Sequence, residues 1–355
     1  MRRRIARLLA IVTLLATLGC TSSAATPASA PGVPTSAAAP AAPASDQVSG
    51  PPARVQLNMP YAGRGVAGLA HYLALEDGLY AKRGLEVTSP NIGNPPTLVA
   101  AVLGGEAPIA SAALEPVITA AASGAEIVMV ASNLHGIAMS VIAQPSIRTP
   151  QELRGKRIGV TAYSSPTHTG AMLYLRSLGL DPQRDVAVTP VGGMPEIHGA
   201  LESGALEAAT ITPPLSFALV RAGFTELADL SKRDLPYQQG SIATTRSYLR
   251  QQPDIVRRVL DAYTEAHRVL LTDKAAAQRV LAKWVEVTDP EDLDKTYEIA
   301  VRGFGGGPTV DPEAVQTTID LIAETTPTVR GLRAEQFVDN SIANEAAVRY
   351  GFPPR

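Results

Sequence analysis

One β-α-β-α-β sequence pattern occurs twice in this 355-residue chain, and no other feature constrains the fold as strongly. Gly105 in the first copy (AVLGGEAPIASAA) aligns with Gly204 in the second (ALESGALEAATIT), and the spacings between strands nearly match. The two copies therefore predict two similar α/β lobes with a cleft that closes on a small molecule. This arrangement favours a binding function over a catalytic one.

The alternation of apolar and polar residues places the expected elements. Val55, Leu57 and Met59 alternate with two polar residues, which predicts a strand with one apolar face. In the first copy we expect strands at 55–59, 85–88 and 109–111, and helices at 69–76 and 97–103. In the second copy we expect strands at 158–162, 186–190 and 208–212, and helices at 170–178 and 197–201.

The composition excludes several classes of function. Apolar residues make up 45% of the chain, enough for a core, whereas aromatic residues make up 5%, too few for a stacked-ring cofactor or carbohydrate platform. The net charge of −2 becomes −6 without the four arginines that precede Cys20, and no basic stripe remains for nucleic acid. The five histidines are scattered and Cys20 is the only cysteine, so no metal site, disulfide or cofactor is predicted.

Residues 1–20 (MRRRIARLLAIVTLLATLGC) have a basic start, an apolar run too short for a permanent membrane span, and a terminal Gly-Cys. The segment resembles a bacterial lipoprotein signal peptide, which implies lipidation of Cys20. Thr17 departs from that pattern, which usually has an aliphatic residue there. The alternative is an ordinary signal peptide cut after Ala30, although Pro31 would hinder that cleavage.

Residues 21–52 consist almost entirely of Ala, Pro, Ser, Thr and Gly, and Asp46 is their only charged residue. Such a segment buries too little apolar area to offset its ordering entropy. We therefore expect a disordered tether that holds the folded body away from a membrane.

In each copy, a turn between a strand and a helix offers ligand-binding groups, because amides at a helix N-terminus face the carboxyl end of the strand. Gly63, Gly65 and Gly68 have the spacing of a dinucleotide fingerprint, but the second strand lacks the acidic residue that a ribose would need. The turn at Ser165-Pro166, a good helix start, is expected to be the best anion cradle. Glu115 is expected in the first turn of a helix.

The chain is expected to cross between the lobes twice, near 143–150 and 232–242, and the phrase QGSIATTRSYL predicts a strand that returns to the first lobe. Residues 53–145 and 238–355 would form lobe I, and residues 146–237 lobe II. Asp289-Pro290 and Asp311-Pro312 predict helix starts in the C-terminal part. Two crossings make a hinge that is able to close on a ligand.

Several sequence segments, in this order along the chain, carry a family resemblance. They are HYLALEDGLYAKRGLEV, LRGKRIGV, ALESGALEAATITPP and EQFVDNSIANEAAVRYGF. Over roughly residues 54–352 the chain resembles the nitrate/sulfonate/taurine substrate-binding proteins of ABC transporters and their thiamine-precursor-binding relatives. The resemblance implies an α/β, two-lobed periplasmic-binding-protein fold of type II, in which a mixed sheet flanked by helices forms each lobe. It also implies delivery of a small ligand to the transmembrane permease of an ABC importer.

The resemblance places the ligand against the turns after the first and third strands of each lobe. The implied ligand-binding residues are Tyr61, Ala62, Gly63, Arg64, Ser111, Ala112, Ala113, Ser164, Ser165, Thr167, Thr212 and Pro213. A small anionic or polar organic ligand is expected, of the sulfonate, carboxylate, nitrate or pyrimidine type. The lysine- and tryptophan-bearing pocket of nitrate binders is not matched, because Trp284 is expected in a distal helix.

The resulting hypothesis is a monomeric, extracytoplasmic lipoprotein on a bacterial membrane that binds a solute and is not an enzyme. Two alternatives stay open: a ligand-binding sensor subunit for a membrane signalling protein, and a secreted enzyme of the pyrimidine-synthase type. The enzymatic relatives use a cysteine-rich motif that this chain lacks. No G-x-S-x-G or H-E-x-x-H motif appears in the sequence either.

Overall fold

The computed structural model describes residues 54–355, so the predicted signal peptide, Cys20 and the predicted tether lie outside the described residues. Ten strands of the described residues form three sheets, of two, three and five strands. Their bounds are β1 Val55–Asn58, β2 Leu85–Thr88, β3 Ile109–Ala112, β4 Ile127–Ser132, β5 Ser140–Ala143, β6 Arg157–Val160, β7 Ala187–Pro190, β8 Ala208–Ile211, β9 Thr225–Asp229 and β10 Ser241–Thr245. All six strands predicted for the two copies are present, within two residues of their expected ends.

Both copies of the pattern build the same arrangement of parallel strands. β1 pairs with β2 in register Val55 to Leu85, and a parallel bridge from Tyr61 to Ser111 links the end of β1 to β3. In the second copy, β6 lies between β7 and β8 and is parallel to both. The carboxyl ends of the parallel strands therefore meet at one edge of each lobe.

The duplication extends to antiparallel strands, of which the sequence predicted β10, within QGSIATTRSYL, but not β5. β10 lies between β3 and β4 and is antiparallel to both, while β5 lies in the same way between β8 and β9. The five-stranded sheet, which belongs to the second lobe, has the order β7-β6-β8-β5-β9. The predicted lobe boundary at residue 145 assigned Ser140–Ala143, which is β5, to lobe I. The hydrogen bonds of β5 with β8 and β9 place this strand in the five-stranded sheet of the second lobe instead. The first crossing therefore precedes residue 140.

Helices flank the sheets. Their bounds are α1 Leu69–Glu76, α2 Pro95–Leu103, α3 Leu114–Ala122, α4 Pro166–Ser177, α5 Met194–Glu202, α6 Leu215–Arg221, α7 Arg246–Gln251, α8 Pro253–Thr272, α9 Lys274–Val280, α10 Pro290–Phe304, α11 Pro312–Ile322 and α12 Ser341–Arg349. Asp289 and Asp311 cap α10 and α11 through their side chains, as predicted. Within residues 54–355, no helix combines the length and apolar character that a bilayer span requires.

The C-terminal helices complete the first lobe. The longest of them, α8, packs against α1 and α12, and its apolar stripe at Val259, Leu260, Tyr263 and Leu270 is at most 1% exposed. This stripe shares a core with the α1 side chains Leu69 and Leu73. The first sequence copy is therefore buried by residues that follow the second copy, so the two lobes are not independent domains in series.

The two segments that cross between the sheets, residues 133–139 and 233–240, are hydrogen-bonded to each other in antiparallel fashion. The amide of Gly136 donates to the carbonyl of Tyr237 at 2.7 Å, and the amide of Gln239 donates to the carbonyl of Leu134 at 2.7 Å. Gly240 follows with φ +88°, and a Cβ there would lie 2.9 Å from the carbonyl oxygen of Ala112. Only glycine fits this position without strain.

A buried carboxylate ties the two lobes to one of these connecting segments. Glu115, at the start of α3, accepts hydrogen bonds on Oε1 from the hydroxyls of Thr169 in α4 and Tyr237, each at 2.8 Å. Its side chain is fully buried, and Oε2 has no hydrogen-bond partner. Burial raises the pKa of Glu115, although the two hydroxyl donors act in the opposite direction.

Glu115→Gln should change how stability depends on pH. Because the native pKa is raised, Glu115 contributes stability that is present below its usual pKa of about 4.3 and is lost as pH rises through the native value. Gln carries no charge at any pH. We therefore expect the melting temperature of the variant, relative to the unmodified chain, to rise from about pH 4 to about pH 8.

Thermal unfolding across this pH range measures the effect, with the exposed Glu106→Gln as the control. Parallel pH profiles for Glu115→Gln and the unmodified chain would show that the Glu115 carboxylate carries no desolvation cost.

Candidate functional site

A cavity of about 160 Å³ lies where the carboxyl ends of β1 and β3 face those of the second lobe. Eight of the residues that the sequence analysis proposed line it: Tyr61, Ala62, Gly63, Arg64, Ser111, Ala112, Ala113 and Thr212. Pro166 at the start of α4 lines it as well, and the connecting segments contribute Asn133, Gln239 and Gly240. Both lobes and both connecting segments thus meet at this cavity, which we call the polar cavity.

A larger cavity of about 680 Å³ adjoins the polar cavity and shares Ala113 and Pro166 with it. Its walls come from α2 and α3 on one side and from the turn between β6 and α4 on the other. The proposed residues Ser164 and Ser165 line this second space, which we call the apolar cavity. The apolar cavity was not predicted from the sequence, because helix side chains as well as strand ends form its walls.

Thr167 and Pro213, the two other proposed residues, line neither cavity. The Thr167 hydroxyl accepts a hydrogen bond from the Thr161 amide at 2.9 Å and lies 2.8 Å from the Thr161 hydroxyl. Its side chain is buried and stabilises the turn from within. Pro213 follows β8 and is also buried. Their part in ligand binding stays a prediction.

Aromatic side chains form one wall of the polar cavity. Tyr72 lines the cavity, donates a hydrogen bond to the carbonyl of Gly63 at 3.0 Å, and makes an edge contact with Tyr61 at a centroid distance of 5.2 Å. Trp284 stacks on Tyr72 with a centroid distance of 4.7 Å and an interplanar angle of 5°. Trp284 itself lines neither cavity: its helical turn, Leu281–Val285, packs against α1, so the indole lies behind Tyr72.

Arg64 does not face the cavity as a free cation. Its Nη1 donates to Oε1 of Glu286 at 2.5 Å, and both side chains are at least half exposed. The pKa of Arg64 is raised, first by its hydrogen bond with Tyr61 and then by the charge of Glu286. Glu286 has φ +63°, a left-handed conformation that is unfavourable for residues other than glycine and that often occurs at functional sites.

A chain of buried side chains holds Ser111 in the polar cavity. Tyr263 of α8 donates its hydroxyl to Oδ1 of Asn133 at 3.1 Å, and Nδ2 of Asn133 donates to the hydroxyl of Ser111 at 3.0 Å. Because the Ser111 oxygen accepts from Asn133, its own proton can be donated elsewhere. The connecting segment thus fixes the orientation of a hydroxyl that lies at the end of β3.

The expected anion cradle at the start of α4 uses its polar groups internally. The Ser165 hydroxyl accepts from the amide of His168 at 3.3 Å, so it caps its own helix, and it donates to the carbonyl of Ala162 at 2.7 Å. The amide of Ser164, which has φ +53°, donates to Nδ1 of His168 at 3.4 Å. Burial lowers the pKa of His168. In residues 54–355, no group of three or more metal-ligating side chains is found.

A third cavity, of about 580 Å³, lies against the connecting segments. Charged side chains line much of it, including Arg233, Asp234 and Arg302. None of the residues proposed from the sequence belongs to it, and it contains no strand end. We therefore place the candidate site at the polar and apolar cavities.

Comparison with known proteins places this geometry in a family. A Brachyspira hyodysenteriae protein named "Putative ABC transporter periplasmic binding protein" is 26% identical over 132 residues, which is 37% of each chain. The alkanesulfonate-binding protein SsuA from Xanthomonas axonopodis pv. citri, solved with MOPS bound, superposes with a TM-score of 0.67 at 22% identity; the match covers 82% of this chain and all of that one.

The periplasmic aliphatic sulphonate binding protein SsuA from Escherichia coli gives a TM-score of 0.68 at 20% identity, over 80% of this chain and 92% of that one. At this level of identity the structural matches establish the fold alone, which confirms the expected two-lobed periplasmic-binding-protein fold. Residues 68–277 match the family described as "NMT1/THI5 like". Because this match spans more than half of the 355 residues, the chain belongs to the NMT1/THI5-like family on a periplasmic-binding-protein fold.

Proposed function

We propose that this protein is an extracytoplasmic solute-binding protein that captures a small molecule between its lobes and delivers it to an ABC importer. One observation carries the proposal: both lobes and both connecting segments contribute to one polar cavity at the strand ends. A ligand in that position contacts groups that move relative to one another, so its binding favours a closed arrangement of the lobes.

The named relatives support this role. The Brachyspira relative is named as a periplasmic binding protein of an ABC transporter, and the two SsuA structures are sulfonate-binding proteins. The match to the Brachyspira protein covers little more than a third of that protein's length. We therefore propose the transport role from the fold and the cavity together.

The chemistry of the cavity suits binding without turnover. Neutral hydrogen-bonding groups surround it, namely the hydroxyls of Ser111 and Thr212 and the amide of Gln239. Gln239 accepts a hydrogen bond on Oε1 from the Ala138 amide at 3.0 Å, which leaves its NH2 group to donate. These groups orient a ligand, and among them is no nucleophile paired with a base. We therefore expect stoichiometric binding and an unaltered ligand.

Lipidation of Cys20 and a membrane anchor complete the proposal. They rest on the sequence of residues 1–52, which lie outside the described residues. An anchored, monomeric receptor would hold its cleft close to the permease.

Thr212→Val should weaken ligand binding and leave the fold intact. The substitution removes one hydroxyl from the polar cavity at nearly constant volume, and a lost hydrogen bond of this kind costs about 1 kcal/mol, or roughly fivefold in Kd. Titration calorimetry against sulfonates, nitrate, aromatic carboxylates and pyrimidines first identifies a ligand with 1:1 stoichiometry. The variant is then titrated with that ligand.

Thr189→Val, in β7 and outside both cavities, is the matched control and should bind as the unmodified chain does. Equal affinity of the Thr212 and Thr189 variants would remove Thr212 from the site. Conversion of the ligand to a product during incubation would contradict the binding-only role.

Cys20→Ser should release the protein from the membrane. Without the thiol no lipid can be attached at this position, and a single apolar run of this length gives no permanent span. Metabolic labelling with a radioactive fatty acid and membrane fractionation of expressing bacteria provide the measurement. Label on the Cys20→Ser protein, or a membrane-bound distribution equal to that of the unmodified chain, would contradict the anchor.

A further inference from the structure

The apolar cavity is large and exposes unusual apolar surface. Its volume of about 680 Å³ lies in the range that holds drug-sized organic molecules and far exceeds what an inorganic anion needs. Leu103 and Tyr163, which line it, are 42% and 61% exposed, and only two other large apolar side chains of the described residues are comparably exposed. Exposed apolar surface concentrated in a concave site is a mark of ligand binding.

The two cavities together hold no uncompensated charge. Among residues 54–355, Arg64 is the only charged residue that lines either of them, and it is paired with Glu286. Two polar side chains of the apolar cavity are also engaged locally: the hydroxyl of Thr119 donates to the carbonyl of Glu115 at 2.9 Å, and that of Ser123 to the carbonyl of Thr119 at 3.0 Å. An anion would find no free cation here.

Two of the helix starts at the apolar cavity, those of α2 and α4, are poor anion sites. α2 begins with Pro95 and Pro96, which have no N–H group, and the side chain of Asn94 accepts from the next free amide, that of Thr97, at 3.0 Å. α4 begins with Pro166, and Ser165 already accepts from the amide of His168. At the start of α2 the first amides are therefore missing or capped, and at the start of α4 the first is missing and that of His168 is capped.

We propose that the ligand is an uncharged, mainly apolar organic molecule, whose polar end binds at Ser111 and Thr212 and whose apolar body fills the apolar cavity. This inference rests on the proposed binding function and narrows the anionic or polar ligand expected from the sequence to an uncharged one. A neutral polar end needs hydrogen-bond donors and acceptors of the kind that the polar cavity offers. The apolar body would cover the side chains of Leu103 and Tyr163, which removes their surface from water.

Equilibrium dialysis of the full chain at about pH 7 against matched pairs tests the charge of the ligand. The pairs are benzamide and benzoate, phenylacetamide and phenylacetate, octanamide and octanoate, and toluenesulfonamide and toluenesulfonate. Mass spectrometry measures what the protein retains. We expect the uncharged member of the retained pairs to bind at least about tenfold more tightly than its anionic partner.

Ala100→Trp tests the place of the ligand. Ala100 is an exposed residue of α2 that lines the apolar cavity, so an indole there fills the space without a clash in the core. Ala275→Trp, at an exposed position of α9 outside both cavities, is the matched control. We expect the first variant to lose at least about tenfold in affinity for the uncharged compounds and the second to bind normally.

Tighter retention of the anionic members, or normal binding by Ala100→Trp, would overturn the inference. So would failure to retain any of these compounds while sulfonates or nitrate bind in the calorimetric panel, and in that case the proposed function would stand. If neither set of compounds bound, the inference and the proposed function would both fail.

Discussion

The antiparallel hydrogen bonds between residues 133–139 and 233–240 are the constraint on which the rest of the structure depends. They hold side by side the two segments through which the chain passes between the three-stranded and the five-stranded sheets of the described residues. β5 continues from the first segment into the five-stranded sheet and β10 from the second into the three-stranded sheet, and each pairs with a strand on both sides. The strand ends with the polar cavity lie next to these segments, and Asn133 and Gln239 of the connecting segments reach into the cavity. Motion about the crossings would therefore alter the ligand site directly.

Compensation of charge gives the site its chemical character. In residues 54–355, Arg64 is the one charged residue that lines the two cavities and Glu286 balances its charge, while Tyr72 and Trp284 form a stacked pair behind the same turn. The buried Glu115, at the start of α3, accepts hydrogen bonds from Thr169 of the second lobe and from Tyr237 of the second connecting segment, and so links both lobes to that segment. The cleft thus combines neutral hydrogen-bonding groups with apolar surface, a combination that favours organic molecules over inorganic ions.

The sequence predicted those parts of the fold that have a local signal. The alternation at Val55–Asn58 predicted β1, and the Ser165-Pro166 pair predicted the start of α4. β4 and β5 have no such alternation, because every residue in them is buried, and this is why the lobe boundary was misplaced. The pairing of Arg64 with Glu286 joins residues 222 positions apart, and the Tyr72–Trp284 stack likewise joins α1 to a distant turn. Contacts of this kind depend on tertiary packing, so the turns of the site could be predicted and the balance of charge within it could not.

Trp284 offers the most direct test of binding between the lobes, because it is the only tryptophan in the chain and it stacks on the wall of the polar cavity. Its fluorescence can be followed while the full chain is titrated with a compound that calorimetry shows to bind. We expect a saturable change in emission with the same midpoint as the heat of binding. Binding heat accompanied by unchanged Trp284 emission would place the ligand outside the cleft and contradict the account.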